Sequence, residues 1–131
     1  MLRHILLATD GSPGAERAAD FAASLAIRYH ARITVVHAFA AASGPPAWSR
    51  AAAQAALAAL VERLADLGVG EITPDLAEGP APNVILGAAD NVRPDLIVMG
   101  ARGNGTWSGL TLGSVSMAVT QRAECPVLIV R

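Results

Sequence analysis

Residues 72–76 read ITPDL, a short run of strand character with Pro74 at its centre. Proline has no N–H to give to a central ladder, so this strand belongs at the edge of a sheet. Four further apolar runs occupy residues 2–9, 33–37, 96–99 and 127–130, and helical patterns alternate with the five. Such alternation builds a parallel sheet covered by helices. The runs at 33–37, 96–99 and 127–130 are rich in Val, Ile and Leu without clean polar alternation, as expected for strands covered on both faces. A chain that winds outward from strand 1 through 2 to edge strand 3, then crosses back for 4 and 5, has the order 3-2-1-4-5. The expected fold is α/β: a single-domain, open, doubly wound parallel five-stranded sheet over residues 1–131, with helices on both faces.

The helices have local signals. Ser12 is a good N-cap, with Pro13 at the first helical position and Glu16 in the first turn. Ala18, Ala22, Leu25 and Tyr29 then recur at helical spacing, and the helix ends near His30. A second helix is expected from about Pro46, after the loop at 43–46, with Leu57, Leu60, Val61 and Leu64 on one face and a stop at Gly68. A third follows Pro82, with Val84, Ile85 and Ala88 inward.

Winding reverses between strands 1 and 4, and ligands of open α/β sheets bind outside the strand carboxyl ends at such a reversal. The residues there are Asp10, after strand 1, and the glycine-rich stretch GARGNGTWSGLTLGSVS at 100–116, after strand 4. Glycine permits close backbone approach, and the N–H groups opening a following helix attract an anion. A strand, a glycine-rich loop and a helix start together point to a phosphorylated ligand.

Composition removes several alternatives. The 131 residues carry a formal net charge of −1 without blocks of like charge, so nucleic acid and membrane surfaces are not expected partners. All ten basic Lys-or-Arg positions are arginine. That excludes Walker-type phosphate lysines, Schiff-base lysines and lysine nucleophiles. No stretch has the length and apolarity of a membrane span, and the opening run ends at an aspartate, unlike a signal peptide. Cys125, the one cysteine, excludes an internal disulfide and fits a cytoplasmic location. A dinucleotide fingerprint places glycines after strand 1 and an acid after strand 2. Here the acid follows strand 1 and the glycines follow strand 4.

The spacing Gly100-x2-Gly103-x9-Gly113-Ser114, with LLATDGS at 6–12, PDLIVMGARG at 94–103 and CPVLIVR at 125–131, resembles the universal stress protein family. The resemblance covers essentially the whole chain. It implies a Rossmann-like, adenine nucleotide alpha hydrolase-like fold and an ATP-binding member. It implies that Asp10 contacts the ribose or nearby nucleotide atoms, that Ala8 lines the pocket, and that Ala38 meets adenine through its main chain. Met99 and Gly100 would border the sugar and base, while Gly103, Gly113, Ser114, Val115 and Ser116 would surround the phosphates. Arg102 has two readings, a phosphate partner or a solvent-facing side chain. It also implies a homodimer through the strand Val127–Val130, which would otherwise leave an apolar edge bare.

Catalytic equipment is sparse. No His, Cys or carboxylate cluster has metal-ligand spacing, so Mg²⁺ or Mn²⁺ would arrive with the nucleotide phosphates. His37 reads as packed or backbone-bonded, and Trp48 and Trp107 as anchors. No residue is assigned a catalytic role. The favoured reading is a nucleotide-dependent regulator of the stress response in which ATP orders residues 103–112 for an unknown protein partner. The alternatives are a slow ATPase or autophosphorylating enzyme, with Ser114 or Ser116 as acceptor, and a ligand-free dimeric scaffold.

Overall fold

The computed structural model describes residues 1–40, 49–101 and 112–131. Its elements are β1 (His4–Thr9), α1 (Pro13–Tyr29), β2 (Arg32–Phe39), α2 (Arg50–Leu67), β3 (Ile72–Glu78), α3 (Ala81–Val92), β4 (Leu96–Gly100), α4 (Ser114–Arg122) and β5 (Val127–Val130). The five strands form one parallel sheet in the order β3-β2-β1-β4-β5, as the reading from Pro74 requires.

The register explains how a proline is accommodated. Ile33 N donates to Glu71 O and Gly79 N donates to Phe39 O, so the odd-numbered residues of β3 turn their amides toward β2. Pro74 is even-numbered. Its missing N–H therefore lies on the outer side of the edge strand, and the β2–β3 ladder loses nothing.

Strand alternation divides the core in two. Ile5, Leu7, Ile33, Val35 and Val98 form one cluster with α1 and α2, where Leu57, Leu60 and Leu64 are buried. Leu6, Ala8, Val36, Ile97 and Met99 form the other, with Ile85 and Ala88 of α3 and Val119 of α4. Each fully buried Leu, Ile or Val contributes about 1.5–3 kcal/mol, and both faces of the central strands supply such residues.

Ser12 caps α1 by accepting from Ala15 N at 3.3 Å, and His30 closes it in the left-handed region with φ 56°. The buried stripe is made of alanine: Ala15, Ala18, Ala19, Ala22, Ala23 and Ala26. Tyr29, expected on the inner face, is 52% exposed. Methyl groups let the helix lie close to the sheet, and the Tyr29 ring at its last turn stands outside that contact. Gly68 ends α2 with φ 110°, as read from the sequence. Residues 46–48, expected to open that helix, lie outside the described residues. Val61 is half-buried rather than central to the inner face. Helix α3 begins at Ala81, so Pro82 lies inside its first turn, where a missing N–H costs no helical bond. Strand β1 starts at His4, two residues later than its apolar run.

At the amino end of the sheet, Asp95 Oδ2 accepts from Arg3 N at 2.8 Å and His4 N at 3.0 Å, tying the entry of β1 to that of β4. These two backbone bonds hold its carboxyl below the usual range. Beside them His4 is buried, its Nε2 2.7 Å from Thr34 Oγ1, and burial lowers its pKa from 6.5.

Candidate functional site

The chain leaves β1 through a tight turn built by Asp10. Its Oδ1 accepts from Ser12 N at 2.9 Å, while Gly11 N donates to Thr9 Oγ1 at 3.2 Å. Gly11 has φ 79°, a torsion that favours glycine, and a Cβ there would sit tightly against Ala56 Cβ at 3.3 Å. The carboxylate thus shapes the entry to α1, and the same turn carries it to the carboxyl end of the central strand.

On the neighbouring strand, β4 ends at Gly100, and the described residues resume at Leu112, two residues before α4. The exit is fastened to the entrance: Gly113 N donates to Ala101 O at 2.7 Å, and Ser116 Oγ lies 2.6 Å from the same oxygen and 3.1 Å from Gly113 O. Ser116 is 2% exposed, so its hydroxyl serves the stem of the loop. Ser114 is exposed and Val115 half-buried against the α3/α4 core. Arg102 and Gly103 lie outside the described residues, as do Gly105, Trp107, Gly109 and Trp48.

Gly113 is the N-cap of α4 and has no side chain to cap it. The first intrahelical bond of the helix runs from Met117 N to Gly113 O at 3.0 Å. Among the described residues, the N–H groups of Ser114, Val115 and Ser116 therefore have no intrahelical acceptor, and the first turn holds no acidic residue. Amides at the positive end of a helix dipole are groups to which an anion can bind. Gly113 has φ −67° and ψ 164°, torsions open to any residue. Its lack of a side chain matters for access to those amides and not for the backbone conformation.

The remaining candidate residues share one face. Ala8 and Met99 belong to the α3/α4 side of the sheet, and Ala38, two residues after Val36, has the same parity. Ala8 pairs with Val36, and Leu7 pairs with Val98, so the next step sets Ala8 beside Met99. Ala38 lies inside β2 rather than just beyond a strand ending at His37. Ala8 and Ala38 thus place small side chains near the carboxyl ends of β1 and β2, on the face that carries α3 and α4, with Met99 beside Ala8. Among the described residues, no group of His, Cys, Asp and Glu has the arrangement to hold a metal ion. No described helix is long and apolar enough to cross a membrane.

Residues 1–131 match the model of the Universal stress protein family throughout. The chain belongs to this family. A universal stress protein of Thermus aquaticus is 41% identical over 137 residues, with both chains covered completely. A universal stress protein solved in complex with cAMP superposes with a TM-score of 0.80 at 28% identity, covering 98% of this chain and 97% of the other. The Archaeoglobus fulgidus family member in complex with dAMP gives a TM-score of 0.77 at 26% identity, covering 100% and 98%. The fold is thus the universal stress protein α/β fold, and two similar family members carry an adenine nucleotide.

Within that frame, sequence reasoning missed the inward turn of Ser116 and the role of Ala101 as the knot of the loop. The signal for the first was present: a serine three residues into a helix reaches back to the carbonyls that precede it. The second is a backbone property of an alanine and has no sequence signature. On the opposite side of β2, Arg50 Cζ lies 5.3 Å from the centroid of the Phe39 ring, a pair that closes the start of α2 over the strand end. Cys125 is half-buried and its thiol pKa is raised by burial, which leaves it a poor nucleophile at neutral pH.

Proposed function

We propose that the crevice between the carboxyl ends of β1 and β4 binds one adenine nucleotide, with ATP preferred, and that the bound state is what the protein reports to a partner. The observation that carries this reading is the uncapped start of α4 at the winding reversal. Its three amides suit phosphate oxygens, and a carboxylate on the adjacent strand suits ribose hydroxyls. Ala8, Met99 and Gly100 line the sugar and base side, and the main chain of Ala38 meets the base. Arg102 and Gly103 complete the phosphate side in this proposal. The cAMP and dAMP complexes of similar family members support the adenine class. Mg²⁺ or Mn²⁺ would enter on the phosphates, since the protein groups at the crevice are mainly backbone amides.

Holding fits this site better than cleaving. The named groups bind phosphate through the main chain, and none is arranged to orient an attacking water. Ser116 is a poor phosphoryl acceptor because it is buried with its hydroxyl on two carbonyls. Of these two serines, Ser114 retains the exposure that autophosphorylation needs.

The proposal extends to a homodimer through Val127–Val130, whose Val127, Leu128 and Ile129 are only half-buried, and to action in the cytoplasm. Mass spectrometry of ligand released from freshly purified protein, with calorimetric titration of ATP, tests the binding. Co-purified adenine nucleotide or saturable binding supports the reading. No binding at millimolar ATP overturns it and leaves a scaffold.

A further inference from the structure

Successive carbonyls of β2 point to opposite sides of the strand. The Phe39 carbonyl accepts from Gly79 N, so it faces β3, and the Ala38 carbonyl faces β1. The β1–β2 pairing ends at Thr9 with His37. Continued one step, the ladder would bring the amide of Gly11 to Ala38 O. The Asp10 turn has removed that donor, because Gly11 N is bonded to Thr9 Oγ1. In its place, His37 Nδ1 lies 2.7 Å from Ala38 O. A carbonyl only accepts, so Nδ1 bears the proton and the neutral ring is the Nδ1–H tautomer. The histidine, 7% exposed, is held firmly enough to act as a fixed donor.

We propose that His37 is the positioning residue for base selectivity: its Nδ1–H fixes the Ala38 carbonyl at the gap between the ends of β1 and β2. There the second lone pair of that oxygen accepts the exocyclic amino group of a 6-aminopurine and repels the oxygen of a 6-oxopurine. This rests on the adenine-nucleotide reading given above and adds the group that enforces it. Without His37 the carbonyl has lost both its ladder donor and the substitute, and the Ala38–Phe39 peptide is held only from the β3 side, through the Phe39 amide, so its oxygen is less firmly aimed. Selectivity should then fall while phosphate binding at α4 remains, since that site lies on a different strand pair.

The experiment compares calorimetric affinities for ATP and ITP in wild type, His37→Phe and His37→Asn. Wild type should prefer ATP by about tenfold or more, the size expected when a buried hydrogen bond is exchanged for a repulsion. In His37→Phe the ratio should fall below about threefold, mainly through weaker ATP binding, and in His37→Asn, which restores a donor, it should recover. An unchanged ratio in a folded His37→Phe protein overturns the proposal. So does equal affinity of wild type for the two nucleotides, which leaves nucleotide binding itself intact. Failure of wild type to bind either overturns the proposed function as well. Long-range ¹⁵N–¹H spectra of the histidine rings in wild type give a reading independent of folding of the variants. The Nδ1–H tautomer is expected for His37, and the Nε2–H tautomer overturns the proposal.

Discussion

The hydroxyl of Ser116 lies 2.6 Å from the carbonyl oxygen of Ala101, across fifteen residues of sequence. Gly113 N bonds to the same oxygen, so one carbonyl gathers the exit of the loop and the first turn of α4 against the end of β4. The start of α4 is therefore set by a knot at its base, and with it the proposed anion site.

Untying that knot should loosen both fold and site. Ser116→Ala should lower stability by about 1 kcal/mol, since Ala101 O keeps the bond from Gly113 N. Nucleotide affinity should fall severalfold because the amides of α4 are no longer held in place. Urea unfolding and calorimetry measure the two effects. After incubation with ATP, phosphopeptide mapping should find any modification on Ser114 and none on Ser116.

Gly113→Val separates the site from the fold. The torsions of Gly113 tolerate a side chain, so circular dichroism and the urea midpoint should change little. Nucleotide affinity should drop about a hundredfold or more, as valine methyl groups occupy the approach to the amides. Retained affinity would place the phosphates elsewhere.

Asp10 has a structural task and a proposed ligand task, and two substitutions divide them. Asp10→Asn keeps a side-chain oxygen for Ser12 N and should leave stability within about 0.5 kcal/mol. Asp10→Ala removes the acceptor and should cost about 1 kcal/mol. Both should weaken nucleotide binding, the alanine variant more. If only the alanine variant loses affinity, the charge of Asp10 is irrelevant to the ligand.

Stability should decline as the solution is acidified below neutrality. Burial holds the pKa of His4 below 6.5, with Arg32 acting in the same direction and Asp95 and Glu71 opposing, and its Nδ1 is buried with no hydrogen-bond partner among the described residues. The unfolded chain therefore takes up this proton first. The stabilisation is complete above pH 6.5 and is lost as the pH falls toward the folded pKa. Urea midpoints measured from pH 7.5 to 5 should fall for wild type and fall less steeply for His4→Gln. Asp95 has a lowered carboxyl pKa, so its contribution persists through this interval and is lost only at lower pH.

A homodimer along β5 should be visible by sedimentation equilibrium at micromolar concentration. Leu128→Lys should shift the protein to monomer while keeping helical circular dichroism, because Leu128 is only half-buried. A folded variant that still dimerises would move the interface away from this strand.

Strand order was legible because Pro74 excludes one strand from the interior, and short connections leave few topologies. The cap of α1 and the glycine end of α2 were legible because both depend on local torsions and a single side chain. Tyr29 was misplaced because a period of 3.6 identifies a face without deciding how wide the buried stripe is; the alanines had already filled it. At the site, Asp10, Gly113 and Ser114 could be located because their positions follow from strand ends and a helix start. The inward bond of Ser116 depends on where Ala101 lies in space, and the His37–Ala38 bond depends on where the β1–β2 ladder stops. Neither distance is written in residue spacing.

Pro74 also gives the sheet a direction of growth. On the outer side of β3 it withholds a donor that an incoming strand would need, whereas β5 presents Val127–Val130 without such an interruption. Edge pairing is thus favoured at the β5 end of the sheet. If two copies meet through β5, each has spent its favoured edge on the other, and the assembly stops at two. A filament would require both margins to be competent, and a proline in the third strand disfavours the second of them.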